Sequence, residues 1–505
     1  MSRPHLVLAL ALLSACGPGV AIESTTDEPA SDTGKDSEPG PATSTTTSTT
    51  GDPTPTPTST TGDQPDPTTT TTTTTTPTTD DPSSTTGGLP IDCTEINIAD
   101  PILLAVVREK LMVPEGPISG KLALAINGLS TSDGPITTLA GLECLQNLEW
   151  LVAYDDTEIS DLTPLASLPK LVSLKLPTSA VTDLGPLAGL PLTILSINSA
   201  PLADIGPLAS IPTLVDLSIY GTSVQDFTPL TAHPALTELS ASHTAPLDLL
   251  PLATIPNLTA LYLNDCGITD ATNLTGATGL TVLSLSDNQL TDLTGLAGMQ
   301  QLDELRADNN QLTNIAALTG LAALTELYLE HNQIVDLKPL ATATILERLF
   351  IADNKITDLK PLATTALGDL RVSDNPLAGL QGLEKLPLTS LTAAHTTLKS
   401  LVAVAPTTLE SLGLTGNKLT DLQPLAGHQL LTGLDVSDNS LTTLDPIAQA
   451  PWVQAHCAYL NLAKNPLSDV TLATTVPALC DLDMTITWDQ GECSPDGFRC
   501  GFSDP

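Results

Sequence analysis

Aromatic residues are scarce in this 505-residue chain: four Phe, five Tyr and three Trp, or 2% of the whole. A core must then be packed by aliphatic side chains, so the place of each ring is informative. Basic residues are scarce too. Eighteen Lys and Arg stand against 57 Asp and Glu, a formal charge of -39. Nucleic acid phosphates need Lys and Arg in number, and anionic lipid attracts polybasic segments, so neither is an expected electrostatic partner. Such a charge instead favours solubility and cationic or neutral partners. No apolar run approaches the ~18 residues of a membrane helix. The sequence has no Gly-x-Ser-x-Gly, His-Glu-x-x-His or phosphate-cradling glycine loop. No two cysteines have the Cys-x-x-Cys spacing of a zinc site. Neither an enzyme nor a bound cofactor or metal is expected.

What is abundant is one repeated phrase. Leu327-x-Leu329-x-x-Asn332-x-Ile334-x-x-Leu337-x-x-Leu340 returns 22 residues later as Leu349-x-Ile351-x-x-Asn354-x-Ile356-x-x-Leu359-x-x-Leu362. A fixed period of this length around LxxLxLxxN is the signature of a leucine-rich repeat. Strand leucines recur from Leu151 and Leu174 to Leu434 and Leu460, mostly 22 residues apart, sometimes 21, once 23; the last step, of 26, marks an insertion near Trp452. The expected fold is an α/β solenoid, a leucine-rich repeat horseshoe of about 16 coils with a parallel sheet on the concave face and short 3-10 or helical turns on the convex face. At ~4.8 Å per strand that sheet would be about 75 Å long. The array is assigned to residues 129–475, with a degenerate first coil at Leu129.

Two columns read as architecture. The fifth position after each strand leucine holds Asn288, Asn310, Asn332, Asn354, Asn375, Asn417, Asn439 and Asn465, with Ser179, Thr222, Thr244 and Cys266 in earlier coils. A buried amide there can satisfy turn backbone groups from coil to coil, and Cys266 is a member of this column rather than a reactive thiol. Asp183, Asp204, Asp226, Asp248, Asp270, Asp292, Asp336, Asp358, Asp421 and Asp469 often precede Pro, which suits a cap opening a short convex turn. A third set, Asp265, Asp287, Asp353, Asp374 and Asp438, follows the strands without converging as calcium ligands would. His243, His331 and His395 share one column but lie three or four coils apart, too far for one ion.

The segments outside the array have other compositions. Residues 1–15 have the basic start and short apolar stretch of a signal peptide. The ending Leu13-Ser14-Ala15-Cys16 resembles the lipobox of bacterial lipoproteins, which implies cleavage before Cys16 and its acylation. Gly17 in place of Asp then implies the outer membrane if the cell is Gram-negative. Residues 16–90, rich in Thr, Ser, Pro and Asp, cannot bury enough apolar surface to order and read as a tether. Residues 91–128 read as an N-terminal cap, with Asp100-Pro101 opening a helix over Ile102–Leu111. Residues 476–505 read as a Cys-containing C-terminal cap. Cys93 and Cys144 are expected to pair. Among Cys457, Cys480, Cys493 and Cys500 three connectivities are open; Cys457–Cys480 with Cys493–Cys500 is the favoured one.

Seven of the twelve rings fall on concave strand positions: Trp150, Tyr154, Tyr220, Tyr262, Tyr328, Phe350 and Tyr459. Folding needs none of them there. Four successive coils carry Arg306, Tyr328, Phe350 and Arg371 in one column, with Arg348, Glu330, Glu304, Glu326 and Asp308 alongside. Exposed aromatic and Arg side chains anchor interfaces, so Arg306, Tyr328, Arg348, Phe350, Arg371, Tyr262 and Glu330 are the candidate contact residues. The competing reading is that these side chains pair with one another and only solubilise the sheet. The 21–22-residue coils with DLxPL on the far side resemble the internalin-like bacterial leucine-rich repeat proteins over roughly residues 120–475. That resemblance implies recognition of a protein by the concave sheet, although no immunoglobulin-like domain or cell-wall sorting signal follows the repeats. The expected function is a lipid-anchored cell-surface module for a protein or peptide partner. A glycan held on Tyr154, Tyr220 and Tyr262, or an envelope spacer without ligand, are the alternatives. Membrane association is expected through the anchor only, and the oligomeric state is open.

Overall fold

The computed structural model describes residues 93–494 except 132–133, 155–157, 405–407, 455–457 and 483. The expected signal segment, the lipidation site Cys16 and the tether lie outside the described residues, as do Cys457, Cys500, Phe498 and Phe502.

The 22-residue period becomes a parallel sheet. Sixteen short strands, from Gly128–Thr131 and Trp150–Ala153 to Gly433–Asp435 and Tyr459–Asn461, pair each with the next. Register is set by the leucines: Leu305 faces Leu327, Leu327 faces Leu349, and Leu349 faces Leu370. Because strand side chains alternate, the central leucine and the residue two beyond it point inward, as Leu327 and Leu329 do with no exposed surface. Each such leucine stabilises the fold by roughly 1.5–3 kcal/mol, and a slip of one residue would turn it out to water. The strand order runs in a line from Gly128–Thr131 to the C-terminal end, and no described pairing joins the two ends. The sheet is therefore open.

On the opposite side, the Asp column caps short turns. Asp183 accepts a hydrogen bond from the Gly185 amide at 2.7 Å, and Asp204, Asp226, Asp248, Asp270, Asp292, Asp336, Asp358 and Asp421 each repeat this two residues ahead. Most open a 3-10 turn such as Gly185–Leu187 or Lys338–Thr342, where Pro fixes φ and forfeits only an N–H that the turn leaves unpaired. Asp469 departs from the column and lies at the start of a helical segment.

The Asn column forms a ladder through the core. Asn332 Oδ1 accepts from the Leu312 amide of the preceding coil, while Nδ2 donates to the carbonyls of Ala307, Leu329 and Glu330. Asn288, Asn310, Asn354, Asn375, Asn417, Asn439 and Asn465 repeat the pattern. Cys266 is buried within this column and burial pushes its thiol up, as a structural rather than reactive cysteine requires.

The helix expected after Asp100 is present. The helix Pro101–Leu111 starts at Asp100, whose Oδ1 accepts from the Ile102 and Leu103 amides at 2.9 and 3.0 Å. Its Oδ2 accepts from the amide and hydroxyl of Thr137, tying the helix to the first coil. Burial opposes ionisation of Asp100, but these hydrogen bonds outweigh it and hold the carboxyl below its usual range. Cys93 is bonded to Cys144.

The C-terminal end corrects the sequence reading. Residues after 475 do not only cover the array; Thr485–Trp488 adds a seventeenth parallel strand, and Gly491–Cys493 turns back antiparallel. That hairpin carries Cys493 to the end of the helix Val476–Cys480, where it bonds Cys480. The pairings Cys457–Cys480 and Cys493–Cys500 are thereby excluded, since Cys480 and Cys493 hold each other. The 26-residue step is a short helix, Pro451–Gln454. Its Trp452 is a core residue, with Nε1 donating to the Leu425 carbonyl at 3.2 Å. Among the described residues no helix is long and apolar enough to cross a membrane.

Candidate functional site on the outer face of the sheet

Register brings the candidate residues together. Arg306 pairs with Tyr328 across adjacent strands, Tyr328 with Phe350, and Phe350 with Arg371. Parallel neighbours lie ~4.8 Å apart, the right spacing for flat groups to stack. The Arg306 guanidinium lies 4.2 Å from the centre of the Tyr328 ring, and that of Arg371 lies 4.2 Å from the centre of Phe350. The two rings meet edge to face at 5.0 Å. The four side chains form one continuous row. Each cation–ring contact at an exposed site is worth ~0.5–1 kcal/mol, and the ring pair ~0.5–1.5 kcal/mol.

The neighbouring column is ionic. Arg348 Nη1 is 2.9 Å from Glu326, whose other oxygen accepts from the Tyr328 hydroxyl at 2.6 Å. Arg306 Nε contacts Glu304 at 2.6 Å. The carboxylate neighbours raise the basicity of both guanidiniums; for Arg306 burial pulls the other way and Glu304 outweighs it. Burial, then the hydrogen bond to Glu326, pushes the Tyr328 hydroxyl up. The self-pairing considered from sequence thus exists, and it fixes the rings and guanidiniums in place while leaving Arg306, Arg348 and Arg371 exposed.

Glu330 sits two residues beyond Tyr328 on the same face. Burial, and then the charge of Asp308, push its carboxyl up against the opposing pull of Arg371 and His331. Tyr262 stands apart from the row, separated from Arg306 by Ser284. Burial and the charges of Glu238 and Glu304 push its hydroxyl up. Among the other rings, Tyr154 and Tyr220 are exposed, Tyr220 meeting His243 edge-on at 4.7 Å, and Trp150 lies under Lys110 at 5.3 Å.

Sequence reading missed the contacts along the rim of the sheet. The position after the strand takes a positive φ in coil after coil, at His243, Asp265, Asp287, Asn309, His331, Asp353, Asp374, His395 and Asp438. Asn, Asp and His tolerate that left-handed conformation better than other non-Gly residues, which explains why the acidic set and the histidines share the column. Side chains from adjacent coils then meet: His243 with Asp265 at 2.8 Å, His331 with Asp353 at 2.9 Å, and His395 with Asp374 at 3.4 Å. The fixed offset of 21 or 22 residues between each His and its Asp was the available signal. Asp369, which flanks Arg348 in register, was also missed.

Comparison with known proteins agrees with this architecture. The family described as Leucine Rich repeats (2 copies) matches residues 256–298 and 300–342. Curated proteins yielded no match. Among solved structures, an internalin (inlF) from Listeria monocytogenes is 27% identical, with a TM-score of 0.54 over 70% of this chain and 93% of that one. A leucine-rich repeat protein of Leptospira interrogans is 20% identical, with a TM-score of 0.51 over 72% of this chain and 91% of that one. The ectodomain of the plant receptor kinase GASSHO1/SCHENGEN3 from Arabidopsis thaliana is 21% identical, with a TM-score of 0.55 over 72% of this chain but 47% of its own length. The chain is a leucine-rich repeat solenoid, and internalins are among its structural neighbours.

Proposed function

We propose that this protein is an exported, lipid-anchored module of the cell surface that binds a protein or peptide along the outer face of its sheet. Arg306, Tyr328, Arg348, Phe350 and Arg371 form the contact group, with Tyr262 and Glu330 at its margins. The observation that carries this reading is the row of two rings between two guanidiniums on a solvent-facing sheet, where a core of Leu, Ile and Val needs none. Because the row is already stacked, a partner pays little to order it. The likeness to an internalin supports the reading, and the Arabidopsis ectodomain was solved in complex with Casparian strip integrity factor 2. Two disulfides support an oxidising compartment. Acylation at Cys16 and the tether would hold the repeats away from the membrane.

Proximity labelling on the native cell surface tests the proposal. The wild-type protein is expected to mark a recurrent protein neighbour, and the double variant Tyr328→Ala/Phe350→Ala, with an unchanged circular dichroism spectrum, is expected to lose it. Equal labelling by both would reject the patch. A glycan ligand is the second reading, favoured by the exposed rings of Tyr154 and Tyr220, and binding on a glycan array that depends on them would select it.

A further inference from the structure

The outer face carries a charge imbalance that folding does not explain. Glu304 and Glu326 stand opposite each other in adjacent strands, as do Asp216 and Glu238. Like charges in that position destabilise a sheet. Glu304 and Glu326 each hold a guanidinium. Asp308, Glu330 and Asp369 take part in none of the ion pairs among the described residues. The remaining guanidinium beside them, that of Arg371, is stacked on Phe350.

The geometry sharpens the imbalance. Asp308 and Glu330 occupy the same position in consecutive coils, where strands run ~4.8 Å apart. Asp308 Oδ2 accepts from the Ser286 hydroxyl at 2.8 Å, but its Oδ1 is shielded from solvent and has no hydrogen-bond partner. The Oδ1 of Asp369 is likewise shielded and unpartnered. Asp308 and Glu330 are each only half-buried, so their carboxyl groups can meet a donor beside the ring row. A metal ion does not fit, because no three such groups converge among the described residues. An ammonium with three donors or a guanidinium with five fits the chemistry, and the ring of Tyr328, two residues before Glu330, offers a surface for an aliphatic stem.

We infer that this face selects a peptide segment carrying Lys or Arg next to an apolar residue, with the cationic group seated between Asp308 and Glu330 and the apolar one against Tyr328 and Phe350. The inference rests on the peptide-binding reading above and names the chemistry of its partner. The chain's own excess of acid, -39 overall, steers the same class of segment toward it.

Selection from a displayed library of random dodecapeptides on the full chain tests it, using wild type, Asp308→Asn/Glu330→Gln and Tyr328→Ala/Phe350→Ala. Wild type is expected to enrich peptides with a Lys or Arg beside an apolar residue. The amide variant is expected to lose the basic preference and keep the apolar one. Replacing the basic residue of an enriched peptide by Gln should weaken its binding to wild type about tenfold, the worth of a charge-assisted hydrogen bond, and this measurement needs no variant to fold. Enriched peptides without a basic residue, or a Gln peptide that binds as well, overturn the inference and leave the binding reading standing. Enrichment that does not depend on Tyr328 and Phe350 overturns both.

Discussion

The coils before Cys266 and those from Asn288 onward are built by the same leucines but locked together differently. In the later coils each amide of the Asn ladder bonds the coil before it. In the earlier coils Thr222 and Thr244 donate to carbonyls of their own coil, Ile219 at 2.8 Å and Ala241 at 2.6 Å, and their one contact onward among the described residues is that of the Thr244 hydroxyl with the Cys266 sulfur at 3.7 Å. Ser179 Oγ has no partner, and Ala200 has no polar side chain at all. The outer faces differ in the same sense. In the early coils Asn198 accepts from the Ser218 hydroxyl and the Tyr220 amide and the rings stand singly, while later coils carry the stacked and ionic patch. The leucine period determines that a coil forms; the fifth-position residue determines how firmly it is tied to its neighbour. It also fits that the leucine-rich repeat family matches across 256–342, where the consensus Asn begins.

Three measurements press on this comparison, the largest effect first. The two ends are closed by disulfides spanning 51 and 13 residues, so loop-closure entropy predicts a loss of ~4 kcal/mol for Cys93→Ser/Cys144→Ser against ~3 kcal/mol for Cys480→Ser/Cys493→Ser. Urea unfolding with native-state proteolysis would show whether each loss stays local to its own end, as nearest-neighbour coupling in a solenoid requires. Next, Asn332→Ala should cost about 3 kcal/mol, because the Leu312 amide is left buried without a partner and the Ala307 carbonyl loses one of its two donors. Thr222→Ala removes a single bond within its own coil and should cost about 1 kcal/mol. Equal shifts in urea midpoint for the two would erase the distinction between the halves.

The smallest effect contrasts two buried histidines. His233, in an early coil, bonds the Ile211 carbonyl at 3.0 Å, whereas neither ring nitrogen of His428 has a partner. Burial holds the pKa of His428 below its usual value. The unfolded chain therefore binds this proton first as pH falls below ~6.5, and stability must drop as pH falls from there to the folded pKa. The variant His428→Leu should show a flatter stability profile over that interval, and a profile identical to wild type would exclude His428 as its source.

Much of this was legible because a repeat is read twenty-odd residues at a time. The strand leucines, the Asn and Asp columns and the helix opened by Asp100 all follow from local spacing, and the bond Cys93–Cys144 was expected because the two cysteines flank the cap. The row from Arg306 to Arg371 was legible as a column for the same reason: strands in register turn an offset in sequence into a distance of one strand. The C-terminal end was not legible. Thr485–Trp488 departs from the leucine pattern and shows only a two-residue alternation around Ile486, too short to separate a strand from a loop.

By itself the sequence determined the solenoid, since a fixed hydrophobic period leaves a chain one way to bury its leucines coil upon coil. It also determined which side chains share the outer face. Tertiary structure decided what those side chains do with one another. The bonding of Cys480 to Cys493, the His–Asp contacts along the rim, and the division of the carboxylates into paired Glu304 and Glu326 and unpaired Asp308, Glu330 and Asp369 depend on rotamers and chain reversals. Those are settled by distances of a few ångströms, which spacing along a chain does not contain.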